Sequence, residues 1–436
     1  MKLRKYVKVL QCENNETILV NLLNKAIIKV PSGIVSAILG TGETTSSTLM
    51  AFDQLRHLGF LVDDSFDDHE DIRDQLRSLI HSKAIFSSYI LLTYACNMKC
   101  VYCYEGGLTD DSKIMTFDVT KQTLNWICRQ IRNDECRVLD ITFFGGEPLL
   151  NTKSLFFLAD ELGHYAKLFG IRTFFYVVTN GTQITLDLAR HLQAHGINGL
   201  QITIDGPEQV HNSMRPMRNN QGSFGLIMNN LENIFTYVPE FRVTLNINVS
   251  QENYSSIFNL LTYLSEKKFN QYCKINFNTI MAGNHSSNQN NPDFSLRETV
   301  KLAASQRISL YKDAIKLGFK VNVKSLLRTG ACVNKKENSF VIDPRGKIYK
   351  CPTGVGVDDF LIGTVGDSDT AIKNRQSKFI KLETWNDPVC LDCCYLPLCL
   401  GGCRFLSFIK TDRMNERFCQ KEIYESDLNT VKYIFS

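Results

Sequence analysis

From residue 87 onward, short apolar runs alternate along the chain with segments whose apolar residues recur at helical spacing. The runs that read as strands are YILLTY (89–94), LDITFF (139–144), TFFYVV (173–178), LQITI (200–204), VTLNINV (243–249) and KINFNTI (274–280). Strands that alternate with helices predict a parallel sheet with right-handed crossovers. Six units are too few for a closed eight-stranded barrel, so we predict an α/β fold with a partial (β/α)6 barrel.

The start of the chain has a different pattern, typical of a small module. TILVNLL (17–23) and KAIIKV (25–30) read as two short strands, followed by a helical segment, SSTLMAFDQLRHLGFLV (46–62). The next stretch, DDSFDDHEDIRD (63–74), holds seven acidic residues in twelve, which is typical of a solvated surface and predicts a hinge. The predicted domains are residues 1–74, 75–325 and 326–436.

The composition is that of a globular protein, and the net charge does not point to a particular class of partner. Of its 436 residues, 44% are hydrophobic and 22% are charged, and the net charge is +4. So small a net charge favours neither nucleic-acid nor membrane binding. No stretch reaches the roughly 18 apolar residues of a membrane helix, and the basic start lacks the apolar run of a secretory signal. We expect a cytoplasmic protein, in which fifteen cysteines are better metal ligands or buried thiols than disulfide partners.

Three cysteines, Cys96, Cys100 and Cys103, lie within eight positions directly after the first predicted strand of the barrel. Three thiolates on one loop can hold three irons of a four-iron four-sulfur cluster and leave the fourth iron to a ligand from outside the protein. Zinc is an alternative, but it usually closes its shell with four protein ligands, and no fourth is obvious here. Three buried thiols without metal are another alternative, which polar Asn97 and Lys99 between the cysteines disfavour.

Short motifs follow the next strands at the same relative position. GGEP (145–148) comes after the second strand, TNG (179–181) after the third and DGP (205–207) after the fourth. In barrels of this kind the chemistry lies at the carboxyl ends of the strands. We therefore expect these motifs to lie around the cysteine loop.

Cys96-x3-Cys100-x2-Cys103, with Tyr102 before the last cysteine and Gly145-Gly146-Glu147-Pro148 some forty residues on, resembles the radical S-adenosylmethionine (SAM) enzymes. The resemblance implies that the open iron chelates the amino and carboxylate groups of SAM. It also implies that an electron, supplied by a flavodoxin or ferredoxin, splits the sulfonium and releases a 5′-deoxyadenosyl radical. The predicted SAM contacts are Tyr102, Gly145, Gly146, Glu147, Pro148, Asn180 and Thr203.

The residue types suit these roles. Two glycines allow close backbone approach, and the Glu147 carboxylate can pair with the ammonium of the methionine moiety. Asn180 and Thr203 are polar groups at or near strand ends. His211 and Arg215 are interpreted as structural or substrate-side rather than catalytic, and the sequence identifies no general base.

The tail is rich in cysteine, with the spacing Cys332-x13-Gly346-x4-Cys351 and then Cys390-x2-Cys393-x5-Cys399-x3-Cys403-x15-Cys419. This pattern resembles the SPASM domain, which carries two auxiliary four-iron four-sulfur clusters, so the chain would hold three clusters in all. Read alone, Cys390-x2-Cys393 also fits a zinc knuckle.

The resemblance implies how the tail cysteines divide. One cluster would be held by Cys390, Cys393, Cys399 and Cys419, and the other by Cys332, Cys351 and Cys403. No cysteine lies between Cys332 and Cys351 to complete the second set, and Cys394 is spare. An open iron there can bind a substrate thiolate and receive the surplus electron of the reaction.

The front module looks like the winged-helix leader-binding module of enzymes that modify ribosomally made peptides, which would capture the leader by strand addition. A stabilising cap on the barrel is the alternative. The leading hypothesis is a maturase that links a cysteine sulfur to a carbon of a precursor peptide, as sactipeptide and ranthipeptide synthases do. Alternatives are carbon–carbon crosslinking or another peptide modification, sulfatase-maturase-like oxidation, and a non-catalytic iron–sulfur electron carrier. The sulfatase maturases carry an Asp where Pro352 follows Cys351 here.

Overall fold

The computed structural model describes residues 1–43, 45–103, 105, 114–133, 136–280, 296–328 and 331–436. Its strands are β1 (Lys2–Leu3), β2 (Val7–Gln11), β3 (Glu16–Asn21), β4 (Ile27–Pro31), β5 (Leu61–Val62), β6 (Ile85–Leu91), β7 (Val138–Phe144), β8 (Arg172–Thr179), β9 (Gly199–Thr203), β10 (Arg242–Val249), β11 (Cys273–Thr279), β12 (Ser339–Ile342), β13 (Lys347–Tyr349) and β14 (Leu361–Thr364). Its α-helices are α1 (Ser32–Ile38), α2 (Ser46–His57), α3 (Asp68–His81), α4 (Phe117–Asn133), α5 (Thr152–Leu168), α6 (Leu186–Ala194), α7 (Glu208–Met214), α8 (Phe224–Tyr237), α9 (Ile257–Glu266), α10 (Leu296–Lys316), α11 (Val323–Leu326), α12 (Asp369–Ile380), α13 (Pro388–Leu391), α14 (Leu396–Cys399), α15 (Arg404–Thr411) and α16 (Lys421–Phe435). Within the described ranges, no helix has the length and apolar character needed to cross a membrane.

The central sheet consists of six parallel strands in chain order, β6 to β11, and all six predicted runs are confirmed as strands. Along β7, Leu139, Ile141 and Phe143 are buried in the same hydrophobic core as Leu158 of α5. The residues between them, such as Thr142, are only half-buried. This alternation places an apolar face under the helices and leaves a more polar face inside the curved sheet. The predicted partial (β/α)6 barrel is therefore confirmed.

The cysteine-rich tail continues this sheet. Strand β12 pairs in parallel with β6, with Val341 opposite Tyr89, and β13 and β14 follow it as antiparallel neighbours. Core residues of the barrel and the tail also belong to one hydrophobic cluster. The tail is thus built onto the strand that leads into the cysteine loop, whereas the predicted domain limits themselves stay a prediction.

The front module contains a three-stranded antiparallel sheet in the order β2-β3-β4. Strands β3 and β4 confirm the two predicted runs, but β2 was missed. The predicted helix over 46–62 was too long, because α2 ends at His57 and Gly59 adopts a positive φ of 76°. That turn lets Leu61 and Val62 pair with β1 as strand β5.

The acidic residues of the run at 63–74 are mostly exposed, as predicted, but the second half of the run begins helix α3, and the predicted hinge stays a prediction. The Asp67 side chain caps α3 by accepting from the backbone of His69 at 2.8 Å. Asp68 is buried and forms an ion pair with Arg4 at 3.3 Å. On its other face α3 contacts the tail, where Arg77 pairs with Glu383 at 3.1 Å. The helix therefore joins the front module to the tail. Asp68 forms its ion pair with the front module, and Arg77 forms its ion pair with the tail.

Candidate active site

A cavity of about 810 Å³ lies at the carboxyl ends of the barrel strands. Eight of the ten residues predicted to bind the loop cluster or SAM line it, namely Cys96, Cys100, Cys103, Tyr102, Gly145, Gly146, Asn180 and Thr203. Glu147 and Pro148 are not among its lining residues. The barrel thus brings motifs from four strand ends into one space, as expected from parallel strands whose carboxyl ends share an edge.

The cysteine loop is held in place by the segment that follows α7. The backbone N–H of Lys99 donates to the carbonyl of Pro216 at 2.9 Å, and that of Val101 donates to Met214 at 3.0 Å. The Arg218 guanidinium donates to the carbonyl of Cys96 at 2.6 Å. This segment therefore fixes the loop backbone before any metal binds.

Burial keeps the three loop thiols protonated in the free protein. It raises the pKa of Cys96 and of Cys103 to about 12, and it raises the pKa of Cys100 as well. The nearby thiols of Cys100 and Cys103 also raise the pKa of Cys96. A buried thiol loses its proton when iron binds, so cluster assembly here is coupled to proton release.

The loop thiols are not arranged around a single ion. In the part of the chain that the structure describes, no three Cys, His, Asp or Glu side chains close around one metal ion. A cubane cluster places each thiolate on a different iron, so its ligands are spread over the face of the cluster. Three mutually neighbouring thiols on the wall of a cavity suit that arrangement.

Gly145 and Gly146 lie where the turn after β7 passes close to the chain leading into the cysteine loop. A Cβ on Gly145 would lie 2.3 Å from the carbonyl oxygen of Thr93, and one on Gly146 would lie 2.4 Å from that of Ala95. Gly145 also has a φ of +117°. Only glycine allows this approach, which leaves the backbone accessible from the cavity.

Glu147 is completely buried and accepts three hydrogen bonds from the chain. The donors are the Thr179 hydroxyl at 2.8 Å, the Asn180 backbone N–H at 2.8 Å and the Leu149 backbone N–H at 3.1 Å. Burial raises the pKa of Glu147, and these bonds act against the rise. In this structure the carboxylate ties the ends of β7 and β8 together, and its predicted pairing with an ammonium group stays a prediction.

A buried polar network beside Cys100 escaped the sequence analysis. Arg215 donates to the Tyr102 hydroxyl at 2.5 Å and lies 3.7 Å from Asp205. Asn248 of β10 donates to the same hydroxyl at 3.0 Å, and Tyr102 donates to Asp205. Within the described residues the Nε of Arg215 has no hydrogen-bond partner, and Arg215 lines the cavity. A cationic donor therefore faces the space beside the cysteine loop.

One further prediction, His211, and one residue that the sequence analysis missed, Glu105, can be placed. His211 is buried and accepts from the Asp205 backbone at 3.2 Å, while its other ring nitrogen lies 3.0 Å from the Ser223 hydroxyl. Its structural interpretation therefore agrees with the structure. Glu105, which the sequence did not single out, is buried in the cavity wall, and burial raises its pKa to about 8. A neutral acid therefore lies next to the cysteine loop.

A second cavity of about 620 Å³ adjoins the first. Cys332 lines it together with Tyr424 and Asp427 of α16, and Asn278 of β11 lines both cavities. Asn278 donates to Asn246 at 2.7 Å. Side-chain amides therefore run from one cavity to the other.

The tail thiols form two neighbourhoods that match the two predicted sets. Burial raises the pKa of Cys351, and its nearest thiol neighbours are Cys403 and Cys332. Burial likewise raises the pKa of Cys399, whose thiol neighbours are Cys419 and Cys393. Cys390 belongs with this second group, because the thiols of Cys399 and Cys393 add to the effect of burial in raising its pKa. Cys394 instead lies beside Lys8 and Lys421, away from Cys332.

Three buried cations accompany these tail thiols. Lys335, Lys350 and Arg404 are at most 4% exposed, and each lies within three positions of Cys332, Cys351 or Cys403 in sequence. In the described part of the chain, none of the three is within ion-pair distance of a carboxylate, and their donors reach backbone carbonyls instead. Burial lowers the pKa of all three, because a buried charge is costly unless it is compensated. A cluster held by thiolates is anionic, so the residues present fit such a group.

The chain resembles known proteins over most of its length. The sequence model of the Radical SAM superfamily matches residues 90–264. The cysteine-type anaerobic sulfatase-maturating enzyme of Clostridium novyi is 24% identical over 360 residues, which cover 78% of this chain and 94% of that protein. The mycofactocin maturase MftC of Mycobacterium tuberculosis is 26% identical over 337 residues, covering 73% of this chain and 78% of that protein.

A solved structure resembles nearly the whole fold. The structure of Streptococcus suis SuiB bound to its precursor peptide SuiA covers 96% of this chain and 99% of its own, with a TM-score of 0.53 and 14% identity. The uncovered 4% is shorter than the front module, so the shared fold includes most of that module. The superfamily implies SAM and a four-iron four-sulfur cluster as cofactors. Residues 90–264 therefore form a radical SAM domain, and the chain is similar over most of its length to maturases of proteins and peptides.

Proposed function

We propose that this protein is a peptide maturase that joins a cysteine sulfur to a carbon of another residue in the same ribosomally made precursor peptide. The observation that carries the proposal is the contact of two cavities at Asn278. One cavity holds the loop cysteines and the other holds Cys332. A peptide lying across Asn278 would bring a reacting carbon and a sulfur to the two sites at once.

The first cavity would hold the radical-generating cofactors. Cys96, Cys100 and Cys103 would bind the cluster, and the open backbone at Gly145 and Gly146 would contact the methionine moiety of SAM. The Arg215 guanidinium, which lines this cavity, would pair with the SAM carboxylate, because guanidinium groups bind carboxylates well. When bound, these cofactors supply a 5′-deoxyadenosyl radical that removes a hydrogen atom from the substrate.

The second cavity would receive the peptide cysteine and its proton. Asp427 is the acidic side chain on its lining, and it pairs with Arg307 at 3.0 Å. Burial raises the pKa of Asp427 to about 6, so at neutral pH it is largely ionised and can accept the thiol proton. As the sulfur–carbon bond forms, the peptide would lose one hydrogen atom to the 5′-deoxyadenosyl radical, one proton to this carboxylate and one electron to the cluster held on the Cys332 side.

Amide side chains offer the peptide a place to bind between the sites. Asn246 and Asn248 lie on β10, and Asn276 and Asn278 lie beside them on β11. Their amides bond mainly to one another, and Asn278 is exposed to both cavities. An amide offers both a donor and an acceptor, as a peptide main chain does. Asn278 is therefore suited to hold an extended substrate.

The front module would bind the leader of the precursor. Strands β2 and β4 both form edges of its sheet, and an edge can accept an extended peptide by strand addition. The shared fold with SuiB, whose structure was solved with a precursor peptide, supports this role. Each edge is short, so affinity would depend on side chains as well as main-chain bonds.

The first test is release of 5′-deoxyadenosine from SAM by the reconstituted protein under reducing, oxygen-free conditions. We expect release. If protein with a full iron content released no 5′-deoxyadenosine, the proposed enzyme activity would be refuted and a role as an electron carrier would be favoured. The second step adds a candidate precursor peptide that contains cysteine. The expected product has lost two hydrogens and contains a cysteine that no longer reacts with alkylating agents.

A sulfatase-maturase-like oxidation is the second candidate, favoured by similarity over 78% of the chain. Pro352 argues against it, since the acidic residue of that family is replaced here. The two reactions give different products. Oxidation of a cysteine would yield an aldehyde that a hydrazide reagent labels, whereas the crosslinked peptide would stay unlabelled.

A further inference from the structure

Lys335 occupies a position that distinguishes it from the other buried cations of the tail. Its backbone N–H donates to the carbonyl of Cys332 at 3.0 Å. Its side-chain Nζ donates to the carbonyls of Cys399 at 3.0 Å and Leu400 at 2.7 Å. Cys332 belongs to one predicted cluster and Cys399 to the other, so Lys335 contacts both sets, with its backbone on the Cys332 side and its ammonium on the Cys399 side. Burial lowers the pKa of the ammonium, and the thiols of Cys332, Cys399 and Cys403 act against that shift, so members of both sets lie near it.

Lys350 and Arg404 lie on one side only. The Nζ of Lys350 donates to the carbonyls of Lys336 and Ser339, each at 2.5 Å, and lies 5.0 Å from the centre of the Phe340 ring. Arg404 donates to the carbonyls of Asn334 at 3.0 Å and Phe379 at 2.8 Å. Burial lowers the pKa of Lys350 to about 7 and that of Arg404 to about 10, and among the described thiols it is Cys332, on the first cluster's side, that acts against both shifts.

We propose that Lys335 links the two tail clusters electrostatically, raising the reduction potential of both so that an electron passes from the Cys332 cluster to the Cys390 cluster. The inference rests on the proposed function, because it needs both tail clusters. Reduction adds one negative charge to a cluster, and a fixed positive charge in a poorly polarisable interior stabilises the reduced form. In the transfer the first cluster is oxidised by one electron and the second is reduced by one.

The link has a consequence for the reaction. Closing the sulfur–carbon bond leaves one surplus electron at the cluster nearest the substrate, on the Cys332 side. A cation shared by both clusters keeps their potentials close, so the electron can move on to the second cluster. Lys350 and Arg404 lie beside the first cluster and favour the electron there, and Lys335 offsets that preference by also raising the potential of the second cluster.

The test is a redox titration of the reconstituted full-length chain, followed by electron paramagnetic resonance. A Cys96→Ala, Cys100→Ala, Cys103→Ala background removes the signal of the loop cluster, and adding Cys390→Ala assigns the remaining one. Lys335→Gln keeps a donor for the carbonyls without the charge, and Lys335→Arg keeps the charge. Lys350→Met is the one-sided control.

We expect Lys335→Gln to move both tail potentials to more negative values, Lys335→Arg to leave both near those of the parent, and Lys350→Met to move only the Cys332-side potential. Unchanged potentials in Lys335→Gln, or a shift in one cluster alone, would overturn the link. If Lys335→Gln does not assemble the tail clusters, Lys335→Arg provides the test, and a change of either tail potential in that variant would overturn the link. A parent chain without tail signals would refute the proposed three-cluster enzyme, which is a separate outcome.

Discussion

The backbone N–H of Asn180 donates to Oε2 of Glu147 at 2.8 Å, so the end of β8 is tied directly to the turn after β7. The side chain of Asn180 then reaches the cysteine loop, donating to Asn97 at 2.8 Å. A buried carboxylate with three donors, one of them on a residue that touches the loop, couples the geometry of the two motifs. The Glu147 carboxylate therefore supports the cluster site whether or not it also contacts SAM.

Replacing Glu147 by Gln should weaken both the fold and SAM binding. One amide hydrogen would face a backbone N–H that now donates to the carboxylate, and a buried unmatched donor costs about 1–3 kcal/mol. We expect lower thermal stability and a marked loss of 5′-deoxyadenosine release at equal iron content. Glu232→Gln is the matched control, because Glu232 lies on the surface and pairs only with exposed Lys267 at 2.7 Å. Similar behaviour of the two variants would contradict the assigned role.

Adding a methyl group at Gly145 or Gly146 should disrupt the same turn. The new Cβ would lie 2.3 or 2.4 Å from a backbone oxygen, and at Gly145 the φ of +117° adds strain on the order of 1–3 kcal/mol. We expect Gly145→Ala and Gly146→Ala to lose SAM binding, measured by equilibrium dialysis. Gly225→Ala in α8 has nothing within 4 Å of its Cβ and should be neutral. Normal SAM binding by Gly146→Ala would show that the close approach does not matter.

Iron content tests the assignment of the tail. Three clusters of four irons predict about twelve irons per chain after reconstitution. The buried cations Lys335, Lys350 and Arg404 give the physical reason, because they need an anionic neighbour. A value near four would mean that the tail thiols hold no cluster.

The cysteine sets should separate two activities. Alanine at Cys96, Cys100 and Cys103 together should abolish 5′-deoxyadenosine release, because the cluster that binds SAM is lost. Cys390→Ala should spare part of this release but stop formation of the crosslinked peptide. Equal loss of both activities in the two variants would contradict the division of labour.

The sequence predicted the strands, the cysteine loop and the cavity residues because each depends on local pattern. Short apolar runs that alternate with helical segments identified β6 to β11, and the loop spacing identified Cys96 to Cys103. Contacts between residues that are far apart in the chain leave no local pattern of this kind. The pairing of β12 with β6, the Arg4–Asp68 contact and the Arg215–Tyr102 bond each join positions more than 60 residues apart.

Buried charge was the other feature that pattern could not reveal. Lysine and arginine next to a cysteine normally read as solvated residues, yet Lys350 and Arg404 are buried beside Cys351 and Cys403. Their position follows from the fold of the tail around them. What the sequence does show is that a lysine or an arginine is adjacent to a predicted cluster ligand, and that adjacency could have been used as a signal.

His211 makes stability depend on pH in a defined direction. Burial, helped by the nearby Arg215 charge, lowers its pKa to about 3, whereas in the unfolded chain it is near 6.5. Above pH 6.5 both states hold a neutral ring. Below it only the unfolded chain gains a proton, so the free energy of unfolding falls until the pH reaches the folded pKa.

Between pH 7.5 and 5.5 this residue alone should lower the free energy of unfolding by roughly 1.4 kcal/mol. His211→Gln keeps an acceptor for Asp205 and a donor for Ser223 but cannot titrate. The variant should therefore lose less stability than the parent over this interval, as measured by urea unfolding under oxygen-free conditions at both pH values. His164→Gln on the exposed surface of α5 controls for removal of a histidine and should follow the parent. An equal loss in all three proteins would mean that the buried ring does not govern acid sensitivity.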